Sequence, residues 1–409
     1  MKTNQWVITL ISAIFLLGSV ACSEATPFSG EGDVLGADIR NGASKRPVHL
    51  ILESANTLTL GLGEQTFLEA RVVYADDGTI SVAANKKIVG ATITNNNNKG
   101  TLTFGTTTTE GGLILSSGAV GTSSASLKAV NVTVTDADST GGASSGTISG
   151  AVYATTVTAT ATSADIDDVS DGDTVIFSST INATTLNLDG SGIFTLGGDV
   201  TAAVVISGDS TSTVAADQII VGAVTNDSGA AAGTLTFAAT TTNTTLASST
   251  IGATTAAEYL KAVNVTATSA DTTSSTATLS GDIFATTVTA VATSATNNDT
   301  IAFGDKVTAT TLNLDGAGAF SFADTATAAI VISGDSTSTV AADQIIVGAV
   351  TNDGTTGEGT LTFAATTEDT TLASTTIGAT GAVLKAVNVT ATSADTTSST
   401  ATLSGDIFA

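Results

Sequence analysis

The chain repeats itself, and that limits what it can fold into more than any other feature. VISGDSTSTVAADQIIVGAVTND occupies 205–227 and returns at 331–353, 126 residues later. LKAVNVTATSADTTSSTATLSGDIFA occupies 260–285 and returns at 384–409. A diverged earlier copy is visible in IVGATITNNNN (88–98), GTLTF (100–104) and LKAVNV (127–132). These alignments predict a partial module over 79–154 and modules over 155–285 and 286–409. A sequence that copies itself at a fixed period builds stacked supersecondary units whose core is shared between neighbours.

Within a module the hydrophobic period is two. Leu235 and Phe237 alternate with Thr234 and Thr236, Leu186 pairs with Leu188, and Val204 pairs with Ile206. Short alternating runs punctuated by Gly, Asp, Asn and Ser predict half-buried strands and tight turns. Composition agrees, because Thr and Val dominate and β-branched side chains suit a pleated surface. Two all-β architectures fit. One is a β-solenoid (parallel β-helix) of tandem modules near 126 residues, and the other is a string of Ig-like β-sandwiches. The solenoid is favoured because no Trp follows Trp6, no Pro follows Pro47, and SGDIFATTVTAVAT (280–293) runs through a module join without a linker. A coil of roughly 21 residues would put six whole coils in a module and keep every copy in phase.

Recurrent apolar residues are expected in the core: Phe104, Phe237 and Phe363; Phe177 and Phe303; Phe194 and Phe320; Tyr153, Phe284 and Phe408. Lys128, Lys261 and Lys385 recur in LKAVNV and are expected to extend from coil corners without binding anything.

The N-terminus predicts export. Lys2 precedes an apolar run over 6–20, too short to span a bilayer and suited to a signal peptide over 1–21. Cys22, the only cysteine, follows the expected cleavage point and is a lipidation candidate, although Ser19 stands where a lipoprotein signal usually has Leu. One cysteine permits no disulfide within the chain. Residues 22–49 read as a flexible lead and 50–78 as an N-terminal cap or first coils. No transmembrane helix is expected in the mature chain.

The formal charge of −25, from 37 acids against 12 bases, argues against nucleic acid as a partner. Catalysis lacks its usual parts. His49 is the only histidine, no phosphate-binding glycine motif is accompanied by a lysine, and we expect no enzyme and no catalytic residue. Asp165, Asp167, Asp168, Asp171 and Asp173 cluster in one loop. Paired carboxylates can serve glycoside chemistry, but a calcium site built on Asp168, Asp171 and Asp173 is the better functional reading, and a solvated acidic turn the simpler one. No cofactor other than possible calcium is expected.

Residues 77–104, the segment IGATGAVLKAVNVTA (377–391) and the GDIFATTVT join resemble the passenger repeats of rickettsial-type surface-antigen autotransporters. The resemblance covers 79–409. It implies a right-handed parallel β-helix, exported through an outer-membrane barrel and acting on the cell surface in adhesion or as a coat. Two departures stand beside it: the chain stops at Ala409 with no translocator barrel, so a fragment is expected, and a lipidated Cys22 would be unusual in that group. The function expected is an adhesin or spacer at the bacterial surface or outside the cell, partnered by host or neighbouring-cell surface molecules. A self-assembling S-layer-like coat, whose partner is itself, is the alternative, and a carbohydrate-active β-helix enzyme is a distant third.

Overall fold

The computed structural model describes residues 77–409 except 83, 85–87, 89–91, 96–97, 107–111, 117, 136–142, 163–171, 230, 242–243, 270–273, 295–297, 354–356, 367–369, 374 and 394–397. Upstream it describes the strands Thr26–Phe28, Gly32–Leu35, His49–Leu52, Thr57–Gly61 and Arg71–Tyr74. The signal-peptide stretch and Cys22 lie outside the described residues. Contacts divide the chain into two compact units, Met1–Val205 and Ile206–Ala409.

Both units are parallel β-helices. Among the described residues, strands of successive coils pair in parallel, as stacked coils require and antiparallel Ig-like sandwiches do not allow. One short 3-10 turn, Ala256–Glu258, is the only helical element among the described residues, and no helix there is long and apolar enough to cross a membrane.

In the N-terminal unit three sheets share one interior. Ile80, Leu102, Val130, Val157 and Leu186 stack in register on the first, all wholly buried. Ile148, Phe177 and Leu196 stack on the second, and Ile93, Val120, Val152 and Ile181 on the third. Parallel stacking begins earlier than the sequence suggests. Thr26–Phe28 pairs with His49–Leu52, and Gly32–Leu35 with Thr57–Gly61, inside the stretch read as a flexible lead.

Corners are written as a slip in the period. Along Val152–Thr162 the inward residues are Val152 and Ala154, then Val157, Ala159 and Ala161, with Thr155 and Thr156 both outward. Two consecutive outward residues turn the chain, so one strand serves two sheets. Ala-Thr-Thr marks this corner again at 285–287 and 309–311. Ala326–Ser333 lacks the extra residue and alternates straight through Ala326, Ala328, Ile330 and Ile332, so its register against the preceding coil shifts between Thr308 and Thr311.

The C-terminal unit corrects the expected coil length. On its first sheet Leu235 is followed up the stack by Val263, Val288, Leu312, Ile330 and Val350, which is five turns. Leu361, the repeat of Leu235, does not join that stack. It lies on the second sheet, above Ala277, Ile301, Phe320 and Ser338. The other strands shift the same way. Ala247 is on the second sheet, but its repeat Ala373 is on the third, above Ile346. Ile251 is on the third, but its repeat Ile377 is on the first, above Val350. One module therefore makes five and one-third turns, roughly 24 residues each, and its copy is rotated by one sheet. Six whole coils in phase was the wrong expectation. A strand such as GTLTF carries a generic inward pattern, so it fits any of the three sheets.

Most predicted core aromatics are interior: Phe104, Phe177, Phe194, Phe237, Phe303, Phe320 and Phe363 are essentially inaccessible. Phe303 and Phe322 stack face to face with centroids 5.1 Å apart. Tyr153 and Phe408 depart from that expectation, whereas Phe284 is 8% exposed and belongs to the core. Val152 takes the inward position beside Tyr153, so period two turns that ring outward at a corner. Tyr153 and Phe408 are only half-buried, and Phe284 is covered partly by Tyr259, with ring centroids 5.9 Å apart. Gly121, Gly252 and Gly378 lie beneath them at positive φ, and a Cβ on Gly252 would sit 2.1 Å from the Phe284 carbonyl oxygen.

Candidate functional site

Asp168 and Asp171, two of the three calcium candidates, lie outside the described residues. The third, Asp173, is fully buried, and its Oδ1 accepts a hydrogen bond of 3.1 Å from the Ser144 amide one coil below. It is therefore part of the coil stacking and not a solvated turn residue. Among the described residues no group of three or more His, Cys, Asp or Glu side chains could hold a metal ion.

Asp299 repeats Asp173 and shows what the position does. It is fully buried and accepts hydrogen bonds from the Ser275 amide and hydroxyl, both 3.1 Å, the Ser269 amide at 3.3 Å and the Thr293 hydroxyl at 3.1 Å. Burial raises its pKa, but these donors outweigh burial and hold the carboxyl below its usual 3.8. The charge is spent on closing a loop between two coils.

Asp217 does related work on the surface. It adopts φ 61° and accepts from the Thr240 and Thr241 amides at 2.7 and 3.1 Å, and from the Thr240 and Thr244 hydroxyls. Burial opposes ionisation here too, and the threonine donors again win, lowering the pKa from 3.8. Asp343 makes the corresponding contacts with Thr366 and Thr370.

The recurrent lysines do more than extend into solvent. Each forms an ion pair of 2.7 Å: Lys128 with Asp77, Lys261 with Asp209 and Lys385 with Asp335. Each partner lies two strands away, and the residue opposite each lysine on the intervening strand is a glycine: Gly100, Gly233 or Gly359. With no side chain in the way, the lysine lies across its neighbour like a strap. A spacing of about fifty residues gave no local signal of this pairing.

Three buried asparagines were also missed. Asn95, Asn226 and Asn352 point inward near the ends of their strands. The Asn226 Nδ2 donates to the Gly229 and Tyr259 carbonyls at 2.8 and 3.0 Å, and Asn352 donates to the Glu358 carbonyl at 3.2 Å. They tie down coil-to-coil turns, and the signal available was their recurrence in VTN and ITN.

Other polar side chains face outward and partner one another. On the first sheets Thr103 and Asn131, Thr158 and Asn187, Thr236 and Asn264, and Thr289 and Asn313 form pairs in which the Asn Nδ2 donates to the Thr Oγ1 at 3.3–3.4 Å. The chemistry on offer is neutral, hydroxyl- and amide-rich, and periodic. No protein-family model, curated protein or solved structure matches this chain. The fold and these surfaces define the class: a parallel β-helix repeat protein.

Proposed function

We propose that this chain is an exported repeat scaffold that works at or beyond the cell surface as an adhesin or as a spacer carrying one. The observation that carries the reading is the division of labour in each coil. The interior holds the apolar side chains, the recurrent aspartates and asparagines are used to join coils, and the outward Thr, Asn and Ser residues are left for contact. Weak polar contacts repeated coil after coil gain strength through multivalency. The apolar N-terminal run and the acid excess support export. The likeness of 77–104 and 377–391 to autotransporter passengers points the same way.

The test is antibody labelling and protease shaving of intact source cells, paired with adhesion of a deletion strain. Surface labelling with reduced adhesion supports the reading. Protein confined to the cell interior refutes it. Two-dimensional arrays of the purified chain by electron microscopy would transfer the case to the self-assembling coat.

A further inference from the structure

The second sheet of the C-terminal unit carries two outward rows in register. One runs Thr276, Thr300, Ala319, Thr337, Thr360, Ala386, and the other Thr278, Ala302, Ser321, Thr339, Thr362, Asn388. No charged side chain enters either row, although the protein carries −25. The hydroxyls of Thr276, Thr278, Thr337, Thr339, Thr360 and Thr362 make no hydrogen bond to the described residues, unlike the threonines of the first sheet that accept from asparagine. Thr337 and Thr339 are exposed and the other four half-buried.

The array has fixed spacings. Where neighbouring strands both carry Thr, as at Thr337 with Thr360 and Thr339 with Thr362, the side chains stand about 4.8 Å apart between strands and about 6.7 Å apart along a strand. Tetrahedral water with O–H···O bonds near 2.75 Å has second neighbours about 4.5 Å apart and a layer repeat of about 7.3 Å. The two nets agree to within about a tenth. Threonine also holds one χ1 setting better than an unbranched side chain, so each hydroxyl and methyl keeps its place.

We propose that this face of the second sheet adsorbs to ice, through water ordered on its threonine rows. Competing solid ligands fit less well. An ionic mineral needs charge, which the rows lack. A crystalline polysaccharide is gripped by exposed aromatic rings, and none of the exposed large hydrophobic residues described is aromatic. The proposal stands or falls apart from cell-surface display, because it concerns only what the face binds.

The test uses the fluorescently labelled full-length chain and slowly grown polycrystalline ice, scoring incorporation. Wild type should enter the ice. The double variant Thr337→Tyr, Thr360→Tyr should lose incorporation while keeping its circular dichroism and Tm. Thr289→Tyr, on the first sheet, should still enter. Exclusion of the wild type from ice overturns the proposal. So does equal loss in the Thr289 variant, or retention on microcrystalline cellulose with no uptake into ice.

Discussion

At the scale of single residues, the interior contains polar atoms of two kinds. Asp299 accepts four hydrogen bonds, whereas the hydroxyls of Ser210, Ser212, Ser336 and Ser338 are buried with no partner among the described residues. Ser338 sits in the stack between Phe320 and Leu361, where a larger residue would crowd the ring. Its size matters and its hydroxyl does not. Ser338→Ala should therefore raise stability by about 0.5–1 kcal/mol in urea titration, since an unpaired buried hydroxyl is removed and little volume is lost. Asp299 predicts the opposite. Its pKa is lower folded than unfolded, so its contribution is complete above 3.8 and is lost as pH falls through the folded value. Asp299→Asn should cost about 2 kcal/mol at neutral pH, because two amide hydrogens replace a charged acceptor among donors. The gap between variant and wild type should narrow below pH 3.8.

At the scale of elements, strands join through registers that outlast changes in loop length. The straps over glycine add little energy, since lysine and aspartate are both more than two-fifths exposed. A double-mutant cycle on Lys261→Met and Asp209→Asn should give a coupling under about 1 kcal/mol, falling towards zero in high salt. A coupling that resists salt would mean the strap is far less solvated than its exposure indicates. The strands themselves were readable. GTLTF, TTLNL and VVIS declare their inward faces by alternation, and the Phe series from Phe104 to Phe363 follows at once. The corners were harder, because Ala-Thr-Thr looks like more strand until the slip in burial at Thr155 and Thr156 is seen. Asp173 shows where composition is a poor guide, because its loop neighbours are acidic. Composition placed it with Asp168 and Asp171, whereas its backbone position pairs it with Ser144.

At the scale of the whole repeat, the sequence disclosed the module and concealed its phase. Counting residues cannot distinguish six coils from five and one-third, because the coil is not of constant length. Leu235 to Val263 spans a long coil, and Leu312 to Ile330 a short one. Cross-linking separates the two arrangements. Cysteines at Thr339 and Thr362 face each other on adjacent parallel strands, about 4.8 Å apart at Cα, and should form a disulfide. A pair at Thr351 and Thr362 would be the neighbours if every copy returned to the same sheet, and that pair should stay reduced.

The rotation of each copy by one sheet carries an evolutionary consequence. A gene that lengthens by duplicating this module winds each new copy one sheet round from the last, so a patch inherited by all copies spirals and returns to the same side only at every third copy. Any flank of uniform chemistry must be assembled from unlike parts of the module brought level by the winding. The threonine rows are a flank of that kind, drawn from six strands that do not descend from one another as simple copies. Selection on such a flank would act at different sites in successive modules, and neighbouring repeats would drift apart there while staying alike elsewhere.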